Sequence, residues 1–95
     1  MKQENIILDK SFAFSVRIVK LYKYLCSEKK EYVLSKQLLR CGTSIGANIN
    51  EAQAGQSKND FIAKMSISSK EARESKCWID LLIATQYLDI NDKHT

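Results

Sequence analysis

The chain has 95 residues, 44% of them hydrophobic and 27% charged, with no proline and three glycines. At that length it is one domain or part of one and buries about 60–65% of its unfolded surface; the scarcity of proline and glycine favours long unbroken helices, and no run approaches the 18 apolar residues of a membrane span. A net charge of +4 and a pI near 9.0 permit attraction to nucleic acid or acidic surfaces without proving it.

The first helix is expected over about 9–27, with Asp9 as its N-cap. Phe14, Ile18, Leu21 and Leu25 share one stripe at 100° per residue, and Phe12, Val19, Tyr22 and Cys26 make a second beside it. An apolar arc this wide calls for more than one neighbour. The segment SEKKEY (27–32) reads as a charged connector. Helix two is expected over about 33–54, with Leu34, Leu38, Cys41, Ile45, Ile49 and Ala52 in near-heptad spacing. Gly42 and Gly46, four apart on its flank, suggest close backbone approach by a neighbouring helix.

Gly55 suits a C′ position, and Ser57 with Asp60 has capping-box spacing. A tight turn there makes helices two and three an antiparallel hairpin. Helix three is expected over about 58–87, with a main stripe of Phe61, Met65, Ala72, Ile79 and Ile83. Ile67, Trp78, Leu81 and Leu82 form a second apolar group. The tail 88–95 reads as polar.

Two polar rows accompany these stripes. Arg40, Ser44, Asn48 and Glu51 align on helix two; Lys64, Ser68, Glu71 and Ser75 align on helix three. In the hairpin, Arg40 is expected opposite Glu71, Ser44 opposite Ser68, and Asn48 with Glu51 near Lys64. A half-buried charge needs such a partner, because an orphan is costly. On that reading Glu71→Ala strands Arg40 and costs roughly 3–5 kcal/mol, less where solvent reaches the pair.

Chemistry has little else to stand on. Glu51, Glu71 and Glu74 as acid/base or metal groups lack the Glu-x-x-His pattern of bundle metal sites, and the single histidine, His94, lies in the tail. Cys26, Cys41 and Cys77 are an odd set without CxxC spacing, so reduced thiols in a cytoplasmic protein are the simpler reading. Cys41 fits a core stripe better than a nucleophile's place, and Trp78 fits packing better than base stacking. GTSIGANINEAQAG lacks the lysine of a phosphate loop, and MKQENIILDKSF lacks the apolar run of a secretory signal. No catalytic residue, cofactor site or metal site is expected.

Arg17, Lys20, Lys23, Lys29, Lys30, Lys36, Lys58, Lys70 and Arg73 fall on faces or helix ends expected to be exposed. For one chain this is a solvated surface. Repeated in an oligomer, it becomes a field that binds phosphate backbones with strong salt dependence.

The pieces RCGTSIGANINEA (40–52), SKNDFIAKM (57–65) and KEARESKCWIDLL (70–82) resemble the bacterial four-helix-bundle family. That family includes proteins encoded in intervening sequences of 23S rRNA genes and the accessory variability protein of diversity-generating retroelements. The resemblance implies an all-α, up-and-down antiparallel bundle of the four-helix type, its fourth helix missing or truncated here. It also implies assembly into a ring, commonly a pentamer, with no enzymatic activity. Arg40, Ser44, Asn48, Glu51, Lys64, Glu71 and Glu74 match as determinants of fold or assembly. The first functional expectation is a cytoplasmic, ribosomal-protein-like basic scaffold for RNA or a ribonucleoprotein, with no membrane partner. The second is a protein adaptor docking an enzyme such as a reverse transcriptase. A carboxylate-based metal enzyme is a distant third.

Overall fold

The structure, a computed structural model, describes residues 2–91, with side chains from Ile6 onward. Among the described residues there are three helices and no strand: α1 (Lys2–Ser27), α2 (Leu34–Gln53) and α3 (Lys58–Ala84). The expected start of the first helix is corrected. The residues before Asp9 contain no helix breaker, so the helix runs through them and Asp9 is an exposed interior position. His94 lies outside the described residues.

The connector before α2 is more than a charged spacer. Val33 at the N-cap offers no side-chain cap; Glu31 takes that role. Its Oε2 accepts the amides of Val33 at 3.1 Å and Leu34 at 2.9 Å, and its Oε1 accepts that of Ser35 at 2.7 Å. Three amides at the start of the helix are thereby satisfied by a charge placed favourably on the helix dipole. Lys30, just before it, has a left-handed backbone at φ 56°.

Ser57 caps α3, accepting the Asp60 amide at 3.1 Å. Gly55 sits after α2 as expected, but no glycine has positive φ. Its lack of a side chain matters for space: a Cβ there would stand 3.1 Å from the Ala52 carbonyl oxygen. The third helix ends a turn earlier than expected. Gln86, at φ 71°, donates to the Ile83 carbonyl at 3.0 Å and Tyr87 to that of Leu82 at 2.9 Å, a Schellman closure with glutamine in glycine's usual place. The turn brings Leu88 back into the core, 4% exposed, so the tail does not begin as a polar segment.

α2 is the middle of the layer. Cys41 meets Ser75, Ile45 meets Ser68 and Glu51 meets Lys64, so α2 and α3 are antiparallel. Gly42 faces Ile18, Gly46 faces Ser15 and Ser11, and Ser35 meets Cys26, so α1 and α2 are antiparallel too. Among the described residues no α1 Cα comes within 8 Å of an α3 Cα. The glycines set the α1–α2 spacing: a Cβ on Gly42 would stand 2.9 Å from the Ile18 side chain, and one on Gly46 2.9 Å from Ser15 Oγ. The core of Ile18, Leu21, Leu25, Leu38, Leu82 and Leu88 lies where the α1–α2 connector and the end of α3 meet. Away from it the apolar surface opens. Phe14 is 37% and Phe61 41% exposed, and on the outer side of α1 Phe12 is 71% and Val19 39% exposed.

Candidate nucleic-acid interface

The two polar rows do meet, and the expected Arg40–Glu71 and Glu51–Lys64 pairs both form, with Glu74 as a further partner of Arg40. Arg40 donates to Glu74 Oε2, and its Nη1 lies 3.6 Å from Glu71 Oε1. Trp78 Nε1 donates to the same Glu74 carboxylate at 3.0 Å. The Trp78 bond holds Glu74 below the usual carboxylate range, with Arg40 adding to it against partial desolvation. Glu71 Oε1 is buried and takes no hydrogen bond, so the long approach of Arg40 is what compensates it. The Arg40 side chain is 52% exposed. The pair is therefore half in water, and the cost foreseen for a buried pair does not apply.

Lys64 Nζ pairs with Glu51 Oε1 at 2.9 Å. Asn48 instead turns along its own helix to the Ser44 carbonyl at 2.8 Å. The expected contact between the Ser44 and Ser68 hydroxyls is also corrected. Ser44 Oγ donates to the Arg40 carbonyl at 2.7 Å, and Ser68 Oγ crosses the seam to the Ile45 carbonyl at 3.0 Å. A short hydroxyl finds a backbone acceptor before it can reach another hydroxyl. Ser75 completes the seam, donating to the Glu71 carbonyl at 2.8 Å and meeting Cys41 Sγ at 3.2 Å.

This seam holds α2 and α3 together. Burial pushes the Cys41 thiol above its ordinary value, opposite to what a thiolate nucleophile needs. All three cysteines are free thiols. Among the described residues no three His, Cys, Asp or Glu are grouped to hold a metal ion, and no helix is long and apolar enough to cross a membrane.

The candidate basic residues are all accessible to solvent, but they are not one patch. Lys20, Lys23, Lys29, Lys30 and Lys36 gather around the last turns of α1, the connector and the first turn of α2. Arg17 lies one turn before Lys20. Lys58 opens α3 at the far end of α2, whose 20 residues rise roughly 30 Å. Lys70 and Arg73 lie midway along α3.

Two features beside the lysine-rich end are hard to read from the sequence. Tyr32, 56% exposed, stands on the connector among lysines; its signal is the run KKEY. On α1, Phe12, Val16, Val19, Lys20 and Lys23 line an apolar depression of about 350 Å³, where the periodicity predicts a covered second stripe.

A family model described as 23S rRNA-intervening sequence protein matches residues 3–95. The chain belongs to that family. A crystal structure from Bacteroides thetaiotaomicron VPI-5482, of a protein with unknown function from the S23 ribosomal protein family, is similar with a TM-score of 0.90. The two are 57% identical, over 95% of this chain and 80% of that one. No curated protein matches the sequence. Family membership accounts for the resemblance carried by the segments 40–52, 57–65 and 70–82.

Proposed function

We propose that this member of the family is a non-catalytic, cytoplasmic subunit of a homo-oligomer whose lysine-rich end binds RNA or a ribonucleoprotein. The observation that carries the reading is a juxtaposition on α1. The uncovered apolar strip of Phe12, Val16 and Val19 runs directly into Lys20 and Lys23 and on to the basic connector. Burying the strip against another copy removes apolar surface from water and repeats the basic end around the assembly. A repeated basic end concentrates positive potential where a phosphate backbone can lie. A pentameric ring is the arrangement proposed from the family resemblance.

The same apolar strip supports a second reading, in which a partner enzyme such as a reverse transcriptase occupies it and the charge only steers the encounter. Sedimentation of the purified chain with and without labelled RNA separates the two. The scaffold reading predicts a multimer that carries the RNA with it. A monomer that leaves RNA behind favours the adaptor.

A further inference from the structure

A shallow depression of about 780 Å³ lies on the outer side of the α1–α2 joint, lined by Tyr22, Lys23, Cys26, Ser27, Lys30 and Tyr32. Two aromatic rings and two cations border it, and no carboxylate is among its lining residues. Two acids stand near it in the chain. Glu31 is buried and accepts the amides of Val33, Leu34 and Ser35, and Glu28 is exposed but outside the lining. Lys29 faces elsewhere: its Nζ sits 6.0 Å from the Tyr24 ring centroid, and it borders a different depression beside Tyr87 and Asp89.

We propose that this depression takes an unpaired nucleotide of a single-stranded polynucleotide. The base stacks on the exposed Tyr32 ring, with Tyr22 beside it, and Lys23 and Lys30 meet the flanking phosphates. This rests on the RNA reading above and narrows it to a strand form and a place. Aromatic faces accept any base but only one freed from its own stack. A bare cationic patch reads the phosphate backbone and does not need the bases exposed. The combination in one depression therefore points to single strands. The connector is also held in place before binding. The Glu31 bonds fix the residues on either side of Tyr32, so little freedom is lost when a base stacks.

The test uses the full chain and fluorescence anisotropy with three labelled probes of one sequence: single-stranded RNA, the same RNA closed into a duplex, and single-stranded DNA. The wild-type chain is expected to prefer single-stranded RNA to the duplex. Tyr32→Ala should weaken that binding by roughly 5- to 100-fold with the salt slope unchanged, and Tyr32→Phe should retain it. Lys23→Gln with Lys30→Gln should lower the salt slope by about 0.7 for each phosphate no longer neutralised. Thermal melts check that each variant is folded, and Tyr32 is exposed enough for this to be met. Tyr32→Ala binding like wild type, or a duplex binding as well as a single strand, overturns this inference and leaves the scaffold reading standing. Failure of every probe to bind wild type overturns both. DNA binding as tightly as RNA overturns RNA as the source of the strand.

Discussion

The Glu31 carboxylate accepts the Ser35 amide at 2.7 Å while the Ser35 hydroxyl returns to the Glu31 carbonyl at 2.8 Å. Both residues are buried, at 7% and 0% exposure. This reciprocal pair starts α2, closes the connector and fixes the backbone that carries Lys30 and Tyr32.

Replacing Glu31 by glutamine should therefore cost stability, by about 1–2 kcal/mol as for the loss of a strong helix cap. The cost should depend on pH. Burial works to raise the Glu31 carboxyl, but the Leu34, Ser35 and Val33 amides and the Ser35 hydroxyl outweigh it and hold it below its ordinary 4.5. A group depressed in the folded state stabilises fully above its unfolded value and loses that contribution as pH falls through the folded one. Urea melts should show a constant gap between wild type and Glu31→Gln near neutral pH, narrowing below about pH 4.5. A gap that widens on acidification would contradict the cap.

At Gly42 the α1–α2 spacing is set by the absence of a side chain. Gly42→Ala places a methyl against Ile18, where overpacking costs about 1–3 kcal/mol, offset by about 1 kcal/mol of helix propensity. A net loss of up to about 2 kcal/mol is expected. Ile18→Val in the same chain should recover part of it, giving a favourable coupling in a double-mutant cycle. Strict additivity would place the glycine away from Ile18.

The Arg40 contacts make an asymmetric prediction. Glu74 bonds both Arg40 and Trp78, whereas the Glu71 carboxylate has only the long approach of Arg40. Glu74→Ala should lower the melting temperature more than Glu71→Ala does, and Trp78→Phe should reproduce part of the Glu74 effect. The reverse order would mean that Glu71 is the main partner of Arg40.

Gln86 is a left-handed residue without glycine's freedom. Gln86→Gly should leave the fold intact and raise stability by up to about 1 kcal/mol, while Gln86→Val should lower it, because a branched side chain resists that backbone. Thermal melts of the two variants check the closure that returns Leu88 to the core.

Much of α2 and α3 is legible in the sequence. Leu38, Cys41, Ile49 and Ala52 are buried where the spacing puts them, and Ser57 caps where its sequence context indicates. Gly42 and Gly46 mark the close approach because nothing else in a helix interior favours glycine. The pairing across the seam is less legible. Glu71 and Glu74 lie within one turn of each other, a spacing small against the reach of arginine, so Arg40 addresses both and the row alone does not name Glu74. Ser44 and Asn48 find acceptors on their own helix, which side-chain matching across a hairpin ignores. Asp9 has the residue type of an N-cap, yet α1 runs through it, because nothing before it in the sequence breaks a helix. Phe12 and Val19 carry the period of a buried stripe, yet periodicity records which face is apolar and not which molecule covers it. The joint at Glu31 is hidden because a charge among charges reads as solvated surface.

Contact between the lysine-rich end and a phosphate backbone is read out by the salt dependence of RNA binding. Affinity of the purified wild-type chain for single-stranded RNA, plotted as log association constant against log salt, should fall with a slope of about −0.7 for each phosphate neutralised, and substituting Lys29 and Lys36 should flatten it. A line without slope, or no binding at low salt, would mean that the lysine-rich end does not meet a phosphate backbone.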